Sequence, residues 1–217
     1  MLKAVTGSGK TLSFLIPIVE RLLKLEEPNK KGYVRSVIVA PTKELATQIY
    51  DVLRSLLEFH NPSATKLKPI PALDNSSEDE ATYEIPLGPY AIPQLLIGGK
   101  NKLAEDLVTF AELNPNVLVG TPKRLSEVLQ SSKVILKRHW FDLLVLDEAD
   151  RLLDPNFKDD LQKILELLPK ERRTGLFSAS VSEAVNELVR VGMRYPFKIS
   201  AKVRSQSGAL DKRTPES

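Results

Sequence analysis

Short apolar, β-branched runs alternate along this chain with amphipathic stretches, and that rhythm limits the fold more than any other feature of the sequence. Residues 36–40, 94–97, 117–119, 143–146 and 174–177 read as buried strands, and 197–200 as a last one. Residues 10–26 read as a helix with Leu15, Ile18 or Val19, and Leu22 on one side and a kink at Pro17. Residues 43–60 read as another, with Leu45, Ile49, Val52, Leu53 and Leu56 recurring at helical spacing. Strand and helix in alternation predict an α/β fold: a mostly parallel sheet with helices on both faces. The carboxyl ends of such strands share one edge, and ligands bind there.

A length of 217 residues suits one domain with a substantial core. Two stretches break the rhythm. Residues 61–93 hold six prolines and an acidic run, and read as a polar surface insertion. Residues 201–217 are polar and aperiodic, and read as a linker or tail after a domain at 1–200. There is no cysteine, which excludes disulfides, thiolate metal sites and a thiol nucleophile. His60 and His139 stand far apart, without ligand spacing. No run approaches 18 apolar residues and no signal peptide opens the chain, so the expectation is an intracellular protein with no membrane partner. The net charge of +3 is compatible with a nucleic-acid partner. Basic residues cluster at Lys30–Lys31, from Lys133 to Arg138, at Arg172–Arg173 and at Lys212–Arg213; each cluster reads first as a solvated face.

Two motifs carry chemistry. Residues 4–11 read AVTGSGKT, a Gly-rich turn running into a helix. Its residues Ala4, Val5, Thr6, Gly7, Ser8, Gly9, Lys10 and Thr11 are placed to bind nucleotide. Backbone amides would cradle phosphate, Lys10 would reach the β/γ-phosphates, and the Thr11 hydroxyl would ligate Mg²⁺. Ala4 stands where the strict pattern has its first Gly. Residues 143–150, LLVLDEAD, form a buried strand with carboxylates at its exit. Asp147 is placed to hold Mg²⁺, and Glu148 to orient or deprotonate an attacking water. Acids at such a turn also favour the next helix start, and paired with the upstream loop they favour Mg-ATP. PTKELATQ at 41–48, Gly98-Gly99, GTPKRL at 120–125 and SAS at 178–180 each follow a strand, so topology gathers them on one edge.

In this order and approximate spacing, AVTGSGKT, PTKELA, Gly98-Gly99, TPKRL, DEAD and SAS resemble the DEAD-box ATP-dependent RNA helicases, over about residues 4–200. The resemblance implies the first of two RecA-like domains of a P-loop NTPase, with ATP and Mg²⁺ as cofactors and RNA as partner. It implies catalytic roles for Lys10, Asp147 and Glu148, and a coupling role for Asp150 with Ser178 and Ser180. Pro41, Thr42, Lys43, Gly98, Gly99, Thr121, Pro122 and Arg124 would contact the RNA backbone. Such contacts position RNA without reading its sequence. Residues 167–180 and the terminal DKRTPES are similar to the helicases of large ribosomal subunit assembly. That similarity implies pre-ribosomal RNA and a nuclear or nucleolar location.

The chain departs from the family pattern at three positions. Lys43 replaces an Arg, Lys123 a Gly, and Ser180 a Thr. The family's adenine-recognising segment and second RecA-like domain lie outside these 217 residues, as does most of the strand that feeds the loop. The expectation is therefore a monomeric piece of an ATP-dependent RNA helicase with negligible turnover alone. The alternative is a catalytically inactive RNA- or partner-binding fragment.

Overall fold

Five four-residue strands run parallel in one sheet: β1 (Ser36–Val39), β2 (Pro93–Leu96), β3 (Val117–Gly120), β4 (Leu143–Leu146) and β5 (Arg173–Leu176), in the order β2-β3-β1-β4-β5. They belong to a computed structural model that describes residues 9–25, 29–67, 89–99, 102–180, 182–193, 196–197 and 199. Ser36 pairs in register with Val117 on one side and Leu143 on the other, and Leu143 with Arg173. One row thus marks where the strands begin.

Helices cover both faces. α1 (Lys10–Leu23) and α2 (Lys43–Leu57) lie on one; α4 (Leu103–Leu113), α5 (Pro122–Leu129), α7 (Pro155–Leu167) and α8 (Glu183–Gly192) lie on the other. Short α3 (Asn61–Leu67) and α6 (Ala149–Leu152) complete the described helices. The period-two alternation of β1 divides the core. Val37 and Val39 join Leu125, Val128, Leu161 and Ile164, whereas Ile38 joins Leu15, Ile18, Ile49 and Leu53. All four residues of β1 are buried, as a strand covered on both faces requires. The predicted α/β architecture holds, and each of the five main strands falls within one residue of its predicted start.

Three expectations need correcting. The stretch 61–93 is not wholly an irregular insertion: 61–67 is helical and Pro93 opens β2. Polar side chains tie its backbone down from inside and outside the stretch. Ser63, fully buried, accepts from the Ala91 amide at 3.0 Å, and Asn116 accepts from Ile92 at 2.8 Å while donating to the Tyr90 carbonyl. Proline at a strand's first residue leaves the ladder intact, so Pro93 begins the strand rather than preceding it. The last predicted strand, 197–200, does not form at its described positions: Phe197 and Ile199 pair with nothing and are 85% and 82% exposed. Helix 43–60 stops at Leu57, and His60 instead caps α3, with the Ser63 amide donating to its Nδ1. α1 runs on through Pro17, which offers no N–H to the Ser13 carbonyl. Residues 4–8, 68–88 and 201–217 lie outside the described residues.

Candidate ATP and RNA site

Every described candidate residue sits at the carboxyl edge of the sheet, in two groups side by side. The first lies over α1, β4 and β5. Gly9 adopts φ 64°, a left-handed conformation at the start of α1 that L side chains rarely take. Among the described residues no atom lies within 4 Å of where its Cβ would stand, so backbone conformation favours glycine there. Lys10 and Thr11 follow as the first helical turn, Lys10 exposed and Thr11 half-buried. Ala4, Val5, Thr6, Gly7 and Ser8 lie outside the described residues.

Asp147 leaves β4 with its amide bonded to the Val39 carbonyl at 3.0 Å, which extends the ladder by one step. Its side chain is 6% exposed. Burial pushes its carboxyl above the ordinary carboxylate range; the Glu148 amide and the charge of Lys10 oppose that shift, and the charge of Glu148 adds to it. Oδ1 accepts from the Glu148 amide at 3.0 Å, and Oδ2 has no partner among the described residues. A largely buried carboxylate with a lysine charge close by suits a hard cation that keeps phosphate and water as its other ligands. No group of three or more His, Cys, Asp or Glu gathers among the described residues, so a cage made of protein alone is not the arrangement.

Glu148 has φ 47°, one of two non-glycine residues with positive φ among those described. Non-glycine residues held in this region concentrate at functional sites. Its carboxylate pairs with Arg151 at 2.7 Å, one helical turn on. Sequence reasoning passed over Arg151, though the three-residue spacing is a recognised pairing signal. Asp150 reaches across to the turn after β5. The Ser178 hydroxyl stands 2.8 Å from Asp150 Oδ1 and 2.7 Å from the Ser180 carbonyl, while the Ser180 hydroxyl stands 3.4 Å from Asp150 Oδ2. Ser178 has one hydroxyl hydrogen and can donate to one acceptor at a time. Phe14 packs on Phe177 with ring centroids 5.0 Å apart, joining α1 to the same turn.

The second group lies over β1, β3 and β2. Pro41 is buried, and Thr42 caps α2 by accepting from the Leu45 amide at 3.2 Å. Lys43 is exposed, its Nζ 3.0 Å from where a Cβ on Gly99 would stand. Thr121 and Pro122 begin α5, and the Thr121 amide bonds back to Leu96. Arg124 differs from its neighbours: it is 8% exposed and pairs with Asp106 at 2.8 Å and Glu127 at 3.3 Å. Its guanidinium therefore ties α5 to α4 beside the Gly98 turn and is largely withdrawn from the surface. Asp106, 18 residues upstream on another helix, gave no local signal of this pairing.

Among the described residues, Lys10 thus lies beside a buried strand-end aspartate, with an aspartate–serine bridge to the next strand. The family described as DEAD/DEAH box helicase matches residues 1–188. The chain belongs to that family. Over its whole length it is 57% identical to the ATP-dependent rRNA helicase spb4 of Aspergillus niger, of which it covers 33%. Among solved structures, a DEAD box protein from the hyperthermophile Methanococcus jannaschii aligns with 88% of the chain and 41% of its own length, at 27% identity and a TM-score of 0.60. Mss116p bound to ssRNA and AMP-PNP aligns with 88% of the chain and 33% of its own, at 30% identity and a TM-score of 0.64. The fold is thus the RecA-like one of DEAD-box proteins, and the chain spans about a third of the length of the curated relatives it matches.

Proposed function

We propose that this chain is the first RecA-like domain of an ATP-dependent RNA helicase acting on pre-ribosomal RNA, with residues 1–200 as the domain and 201–217 as a linker. The observation that carries the reading is the adjacency, on one sheet edge, of Lys10, Asp147 and the Asp150–Ser178–Ser180 bridge. Thr11 and Asp147 would hold Mg²⁺, which screens the phosphates and polarises the γ-phosphoryl group. Lys10 binds the phosphates as a point charge, and Glu148, freed from Arg151, orients the attacking water. Asp150 shares its carboxylate between two serines at the end of β5, so a shift of the 147–150 turn reaches the neighbouring strand's loop. Lys43, the Thr42 and Thr121 hydroxyls and the glycine amides face RNA phosphates, while Arg124 and Pro122 shape that surface from below. The rRNA helicase relatives support a ribosome-assembly role, and a nucleolar location and a monomeric state go with that reading.

The test is equilibrium binding of fluorescent ATP with Mg²⁺. Lys10→Ala is expected to weaken binding at least tenfold, and Glu148→Gln to leave it within about twofold, since one touches bound phosphates and the other a water. Equal losses in both variants would refute the assigned roles.

A further inference from the structure

Three of the basic clusters seen in the sequence meet on the edge of the sheet opposite the nucleotide. The segment carrying Lys30 and Lys31 docks on the one carrying Lys133 to Arg138. Tyr33 bridges Ile135, and the Ile135 amide donates to the Gly32 carbonyl at 2.8 Å. Gly32, at φ 81°, permits the approach: a Cβ there would stand 2.7 Å from the Lys133 carbonyl oxygen. Lys30 lies 4.5 Å from the centre of the Trp140 ring, and Arg35 lies 4.3 Å from it. Arg138 pairs with Glu171, which joins this surface to Arg172–Arg173, and Arg173 shares Asp142 with Arg21 from the end of α1.

A cavity of about 440 Å³ opens between them, lined by five arginines and two carboxylates. The positive charge left over is concentrated where strands β1, β4 and β5 begin. Arg172 makes no ion pair among the described residues; it donates to the Leu168 and Pro169 carbonyls, and its Nε is buried without a partner. Lys31, Lys133 and Lys137 are exposed on the two docked segments beside it. Each strand is four residues long, so about 13 Å of sheet separates this edge from the carboxyl edge. A contact here is additional to the one at Lys43 and Thr121.

From this charge and its position we propose that the amino edge is a second RNA surface, taking the phosphate backbone of duplex RNA that flanks the segment held at the carboxyl edge. An acidic protein is the other polyanion to weigh. Protein interfaces place apolar and aromatic side chains at their centre, whereas phosphate contacts need only charge and hydrogen-bond donors. The apolar side chains that line this cavity, Leu22, Leu25, Trp140 and Phe141, are buried or half-buried, and Lys30 and Arg35 lie over the Trp140 ring. The proposal rests on the reading of the chain as an RNA helicase domain.

The test uses the 217-residue chain, a labelled blunt RNA duplex and a labelled single-stranded oligouridylate, with binding measured against salt. The variant Lys31→Glu/Lys133→Glu/Lys137→Glu should weaken duplex binding at least tenfold and lower the slope of log K against log salt by about 2–3, one counterion or slightly less per lost phosphate contact. Its thermal melt should match the wild type, because all three side chains are exposed. Unchanged duplex affinity and slope would overturn the proposal. So would loss of binding to a labelled polyglutamate with duplex affinity kept, which would assign the edge to an acidic protein. Lys43→Glu separates the two readings: if it spares single-strand binding while the triple variant still loses the duplex, the carboxyl-edge assignment fails and the amino-edge one stands.

Discussion

At the scale of single residues, Asp147 shows how the site trades stability for chemistry. Burial raises its carboxyl pKa in the folded chain above the unfolded value of about 3.9. Between those two values the folded state binds more protons than the unfolded state, so stability falls as pH rises through that window and stays lowered at neutral pH. Asn at this position keeps an oxygen for the Glu148 amide and carries no charge. The Asp147→Asn chain, free of nucleotide, is therefore expected to melt higher than wild type at pH 7, by roughly 2–4 °C per kcal/mol relieved. The gap should close as pH is lowered toward 4. Thermal melts across this range check the sign, and a variant that melts lower at pH 7 would contradict it. The same substitution should abolish any Mg²⁺ dependence of nucleotide binding. The placement of Lys10, Asp147 and Glu148 at one sheet edge was legible in the sequence because its signals are local: one loop, one strand end, fixed spacings. The depth of Asp147 was not, because it depends on β1 and β5 lying on either side of β4.

At the scale of elements, α4 and α5 are joined by the Asp106–Arg124 pair, with side chains 7% and 10% exposed. Removing one member of a buried pair strands the other, at a cost of about 3–5 kcal/mol. Arg124→Ala should thus lower stability by that order in urea unfolding. Asp106→Leu with Arg124→Met should recover most of it, since an apolar pair leaves no charge behind. A loss below about 1 kcal/mol in the single variant, with RNA affinity reduced, would return Arg124 to the RNA surface itself. The motif TPKRL predicted the turn and the helix that follows; it could not predict where the guanidinium points, because the partner is Asp106 on a different helix. The strands were legible for the opposite reason. A run such as SVIV, β-branched at three of its four positions, fits a sheet covered on both faces, whatever packs on it. In 61–93, prolines and polar residues suggested an insertion because the sequence does not reveal that Ser63 and Asn116 spend their polar atoms on buried backbone amides.

At the scale of the whole molecule, the sheet carries the residues proposed for nucleotide and RNA on one edge and a basic cavity on the other, and in that reading the described residues make one wall of a nucleotide site. β5 pairs on one side with β4 and is half-exposed, unlike β1 and β3, which are buried throughout. In the family, a second RecA-like domain closes over the γ-phosphate and supplies arginines to it. Among the described residues, Arg151 is already held by Glu148. Arginine fingers contribute about 10³-fold or more to phosphoryl transfer where they act. The 217-residue chain by itself is therefore expected to bind ATP and turn it over at or near background, with RNA giving no stimulation. Joining it to a second RecA-like domain should raise single-turnover hydrolysis by about that factor. Steady, RNA-stimulated release of phosphate by the chain alone would show that Lys10, Asp147 and Glu148 suffice, and that the coupling through Asp150 and Ser178 needs no second wall.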